Sequence, residues 1–148
     1  MRFRLLLVCF WLVLAVVACG GNEAPTRGTD TPFASVCDES NKGERVAVTG
    51  YLRLPDSFTG DLSVVLRLFE TDSFSGTPIG ATVRLGTEAN QIENVPDSYT
   101  NNDLKVHLAN GQVAGYGTPV RVSGKVYYPV VDQDFVCGLE NLLIEPAN

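Results

Sequence analysis

The chain uses one stretch twice: Val46-Ala47-Val48-Thr49-Gly50-Tyr51-Leu52 returns 74 residues later as Val120-Arg121-Val122-Ser123-Gly124-Lys125-Val126. In both copies apolar residues recur at every second position, the period of a strand with one buried face. Each copy places a glycine, Gly50 or Gly124, among the inward positions. A glycine there weakens a flat strand but lets it coil sharply or take a bulge, as a strand shared between the two halves of a small closed barrel must. Between the copies Leu62, Val64, Leu66 and Leu68 alternate with Ser63, Val65, Arg67 and Phe69, and Ala81, Val83 and Leu85 alternate with Thr82 and Arg84. A short terminal strand over Leu142 to Ile144 stops at Pro146. Leu104, Val106 and Leu108, followed by the turn signal Asn110-Gly111, suggest a β-insertion between the third and fourth strands, with room for one helical turn near 97–104.

The doubled Val-x-Val-Thr/Ser-Gly-x-Leu/Val pattern, with Gly117-x-Pro119 leading into its second copy, resembles the first and fourth strands of OB-folds. The resemblance implies an all-β, five-stranded Greek-key barrel with strand order one, two, three, five, four, formed by residues 37–148. An open β-sandwich is the competing architecture, since similar strand spacing serves both.

The 16 apolar residues among the first 18 are too dense for the start of a soluble fold. Arg2 and Arg4 precede an unbroken apolar run from Leu5 to Val17, shorter than the ~20 residues that cross a bilayer, so residues 1–18 read as an export signal. The run ends in Val16-Val17-Ala18-Cys19-Gly20, which resembles the lipobox of bacterial lipoproteins. That resemblance implies cleavage before Cys19, acylation of its thiol, and an extracytoplasmic protein anchored in a cell membrane or outer membrane. An ordinary secretory signal, with Cys19 a bystander, is the alternative. Residues 19–36, polar and rich in Gly, Thr and Pro, read as a lipidated flexible tether whose r.m.s. reach is roughly 20–25 Å. With the signal set aside, the apolar share falls from 45% to about 38% and the formal charge moves from -6 to -8, which disfavours nucleic acid as a partner.

Export permits disulfides, and lipidation of Cys19 leaves Cys37 and Cys137 to pair. In the OB order the start of strand one lies beside the end of strand four, so both cysteines fall at the same end of the barrel.

His107 is the only imidazole, and its outward position beside a loop marks it as a solvated strand residue rather than a base. The pairs Asp132/Asp134 and Glu70/Asp72 lie in loops and do not continue into a cation-enclosing spacing, so they read as turn solubilisers; a weak Ca²⁺ site is the lesser reading. No cofactor is expected. Tyr51, Arg53, Arg67, Phe69 and Arg84 occupy the outward face of the first three strands, where OB-folds commonly bind ligands. Rings and guanidinium groups there suit stacking or an acidic partner, although outward strand positions must be polar in any case. The preferred reading is a non-enzymatic, membrane-tethered module for an extracytoplasmic protein or glycan. An exported OB-fold binder of nucleic acid or oligosaccharide and a metal-assisted enzyme using Asp132 and Asp134 are the alternatives.

Overall fold

The computed structural model describes residues 24–57, 60–131 and 133–148. The expected signal peptide, Cys19, and Asp132 lie outside the described residues. The described chain is all-β: β1 (Thr29–Asp30), β2 (Arg45–Arg53), β3 (Ser63–Phe69), β4 (Ile79–Leu85), β5 (Gln91–Ile92), β6 (Val106–His107), β7 (Val113–Ala114), β8 (Pro119–Tyr127) and β9 (Gly138–Pro146). Five of these close a barrel in the order β2-β3-β4-β9-β8 and back to β2, all antiparallel except the parallel β4–β9 pair. This is the OB-like order, and closure excludes the open sandwich.

The two glycines work differently. At Gly124 the β8–β9 ladder shifts register between Ser123 and Lys125, and an added Cβ would stand 2.6 Å from Leu142 Cδ2 and 2.9 Å from Leu139 Cβ. This is a bulge of the kind the sequence suggests. At Gly50 the β2–β8 ladder runs on without interruption, but a Cβ would overlap the Phe69 carbonyl oxygen. Here the glycine allows close approach: β2 pairs with β8 over Arg45–Tyr51 and with β3 only over Tyr51–Arg53.

The alternating residues fill the barrel: Val46, Val48, Leu52, Val64, Leu66, Leu68, Ala81, Val83, Val120, Val122, Val126, Leu139 and Ile144 are all buried. The terminal strand is longer than its Leu142–Ile144 core, because Gly138 to Leu139 also pair with β4. The insertion supplies Ile92, Leu104, Val106, Leu108 and Ala114 to the same core. It is fixed to β9 by Ala109 N–H donating to the Ile144 carbonyl and Ile144 N–H donating to Asn90 Oδ1, at 2.8 and 2.7 Å. Its one helical turn is a 3₁₀ turn, Asn101–Asp103, with a Thr100/Asp103 capping box. Leu62 departs from its expected inward role; it precedes β3 and is 80% exposed.

Of the stretch read as a flexible tether, residues 19–36, the described part from residue 24 is docked on the barrel. β1 pairs in parallel with Val46 and Ala47 of β2, the part of that strand that β3 leaves uncovered. Ala47, an outward position, is consequently buried. Arg27 forms a forked pair with Glu145 (Nη2 to Oε1, 2.6 Å), and Arg45 Nε donates to the Thr26 carbonyl at 2.6 Å. Arg121 Nη2 donates to Asp30 at 2.7 Å. Local composition cannot report this, because the partners lie on β2, β8 and β9.

Cys37 and Cys137 form a disulfide across 100 residues of sequence. Closing a loop of that length is worth up to ~4.7 kcal/mol in the chain-entropy model. The C37A/C137A double variant is therefore expected to lose about 2–4.7 kcal/mol of unfolding free energy and to unfold at a lower denaturant concentration than the wild type, measured by chemical denaturation. A Gly50→Ala variant should be destabilised by about 1–3 kcal/mol, since the added Cβ meets the backbone carbonyl of Phe69, which cannot rotate away; thermal unfolding against the wild type reads this.

Candidate functional site

The five outward residues share one face of the sheet, with Tyr51 opposite Phe69, Arg53 opposite Arg67 and Arg84 opposite Ser63, but they do not make one open surface. Arg67 and Arg53 are engaged within the chain, Tyr51 and Phe69 join an aromatic cluster, and Arg84 stands apart on β4 beside Ala24, Asn90 and Asn141.

Arg67 projects from β3 under the β8–β9 loop, residues 128–137. Its Nε and Nη2 form a forked pair with the Asp134 carboxylate at 2.7 and 2.6 Å, its Nη1 donates to the Val65 carbonyl, and its guanidinium lies 4.9 Å from the centre of the Phe135 ring. Phe135 is buried because Gly80 on β4 has no side chain: a Cβ there would meet the ring at 2.7 Å. The loop thus places a carboxylate and a ring on the sheet surface where OB-folds commonly hold a ligand. Arg53 pairs with Asp56 at 3.1 Å.

Next to Arg53 and Arg67, at the same end of β2, four rings converge. Tyr51 and Phe69 are partners in the β2–β3 ladder, and Phe74 from the β3–β4 loop meets both edge-on, at 6.4 and 5.7 Å between centroids. Tyr116, from the turn before β8, stacks on Phe74 at 4.5 Å and 11°. Phe69 lies on the outward face as expected, opposite Tyr51, yet is buried, 6% exposed, because Phe74 folds over it. Phe74 adopts φ +51°, a left-handed conformation unusual for a bulky residue. Three ring contacts hold it there, while Tyr116 stays 41% exposed. The same loop carries Glu70 and Asp72, both exposed, and a chain of hydroxyl contacts from Thr71 to Ser73 to Ser75 at 2.8 and 2.9 Å.

Sequence periodicity does not find Phe74 and Tyr116, since neither lies on a strand. The available signal is an aromatic residue among turn formers, Ser73-Phe74-Ser75-Gly76 and Gly115-Tyr116-Gly117, where a turn has no need of a ring.

His107 on β6 is half-buried and points to Glu93, its Nε2 3.1 Å from Oε1; Lys105 Nζ lies 3.4 Å from the other oxygen of that carboxylate. Among the described residues no three or more His, Cys, Asp or Glu side chains gather as they would around a metal ion. Asp134, one of the two carboxylates considered for Ca²⁺, is committed to Arg67.

No protein-family model, curated protein or solved structure matches the chain significantly.

Among the described residues, the carboxylates of Asp134 and Glu145 are held below the usual range. For Asp134 the hydrogen bond from Arg67 is the main cause, opposed by partial burial; for Glu145 it is the hydrogen bond from Arg27, with Arg121 adding to it. A carboxylate whose folded pKa is depressed contributes stability above its unfolded pKa and loses it as pH falls through the folded value. The stability difference between wild type and D134N/E145Q should therefore be full above about pH 5 and shrink progressively below about pH 4. Urea unfolding across that range measures it, and a difference that does not vary with pH contradicts the assignment.

Proposed function

We propose that this chain is a non-enzymatic, membrane-tethered lipoprotein, anchored by lipid on Cys19, that presents its OB-like barrel to an extracytoplasmic protein or glycan through the ring cluster of Tyr51, Phe74 and Tyr116. The observation that carries the binding surface is Phe74 itself: a bulky residue in a left-handed turn, stacked on a ring that remains 41% exposed. Rings fixed in this way offer apolar area at little further cost in conformational entropy, the property that makes aromatic residues effective contact points. The rim of Glu70, Asp72 and three hydroxyl side chains suits hydrogen-bonding or cationic groups and opposes a polyanion. Nucleic acid loses its best support on the sheet, because Arg67 is already matched by Asp134 and Phe135.

The anchor rests on the order of Arg2 and Arg4, the short apolar run, and Val16-Val17-Ala18-Cys19. The Cys37–Cys137 bridge accords with an oxidising compartment.

Two measurements test the two halves. Metabolic labelling with a fatty acid should mark the wild-type protein, while Cys19→Ser should be unlabelled and leave the membrane fraction; labelling that survives the substitution refutes the anchor. For the surface, the lipid-free domain should retain an envelope protein or an arrayed glycan, and F74A/Y116A should weaken that binding at least tenfold with the fold intact by circular dichroism. A ligand bound equally by the double variant places the site elsewhere.

A further inference from the structure

The docked N-terminal stretch has a geometric consequence for any anchor placed before it. From Thr26 onward the chain is bound to the barrel: through the Arg45 Nε bond to the Thr26 carbonyl, the Arg27–Glu145 fork, and Arg121, whose Nη2 reaches Asp30 at 2.7 Å and the Gly28 carbonyl at 3.4 Å. Gly28 runs so close to β2 that a Cβ would overlap the Val46 carbonyl. Just before this, Ala24 and Pro25 lie in a shallow depression with Thr82 and Arg84 of β4, Asn90, and Asn141 of β9. Five peptide steps separate Cys19 from Ala24, and a fully extended chain covers at most about 18 Å in that length. A 17-residue tether free to residue 36 would have three times that contour length.

We propose that the barrel is held in a fixed orientation against the lipid surface, with the β4–β9 side around Arg84, Asn90 and Asn141 facing the headgroups. This rests on the reading of Cys19 as the lipid site. The leash is too short for the barrel to turn over, and exposed Arg84 stands where it meets headgroup phosphates. The aromatic cluster is carried away from the bilayer: β1 runs parallel to β2 and meets it at Val46 and Ala47, and Tyr51 lies several residues further along β2, about 15 Å at ~3.3 Å per residue. Docking of the N-terminal stretch therefore sets which surface a partner outside the membrane encounters.

The test uses the full lipidated chain in vesicles of phosphatidylethanolamine and phosphatidylglycerol containing a headgroup spin label. A fluorophore is attached through A89C, beside the depression, or separately through D72C, on the loop that carries Phe74. Quenching is expected to be at least threefold stronger at position 89 than at position 72. Adding R27A and E145Q should release the stretch and bring the ratio towards one. Equal quenching in the otherwise wild-type chain overturns the orientation, and a ratio unmoved by R27A/E145Q overturns docking as its cause. Protein that carries no acyl mass and washes off the vesicles refutes the Cys19 reading instead, and with it this inference; matching thermal unfolding of each labelled variant ensures that folded chains are compared.

Discussion

The structure depends on β2 serving two partners. The strand pairs with β8 along its first seven residues and with β3 only at its last three, changing over where Gly50 lets the Phe69 carbonyl approach. In a small closed barrel the strands are tilted and staggered, so the neighbours on the two edges of β2 overlap it along different stretches. Closing five strands into a barrel therefore forces β2 to coil, and the absence of one Cβ permits it. Gly124 does the corresponding work in β8 through a bulge.

Two features beyond the barrel follow from that changeover. Because β3 leaves the first half of β2 unpaired, an exposed strand edge remains at Val46 and Ala47, and the N-terminal stretch fills it as β1. An open edge of this kind is a template for unwanted pairing, so its occupation protects the fold as well as fixing the chain's exit. Because β3 returns to β2 at Tyr51, Tyr51 and Phe69 become cross-strand neighbours, and Phe74 and Tyr116 assemble on them. The proposed binding surface and the proposed membrane-facing side are thus both consequences of how one strand is shared.

The β8–β9 loop shows how a face can look available in sequence and be occupied in space. Arg67 and Arg84 alternate outward on neighbouring strands, and nothing local distinguishes them. Arg67 is covered because Gly80 leaves a bare patch of sheet into which Phe135 fits, bringing Asp134 into contact. The disulfide at Cys137 fastens the end of the same loop to the start of the domain, so covering the sheet and bridging the cysteines restrain one segment from two sides.

The sequence alone determined the positions of the five barrel strands and, Leu62 apart, most of their inward residues, which follow from local period. The barrel order came from the resemblance to OB-folds, and the Cys37–Cys137 pairing from that order and from the reading of Cys19 as a lipid site. Three things were decided only by tertiary structure: the docking of residues 24–36, the burial of Phe69, and the assembly of Phe74 with Tyr116. Each joins residues far apart in the chain through contacts that no window of sequence contains. A polar stretch such as Thr26 to Asp30 reads as a free tether because it has no apolar face of its own. It becomes ordered only because barrel closure leaves an unpaired edge on β2 and places Arg45, Arg121 and Glu145 around it.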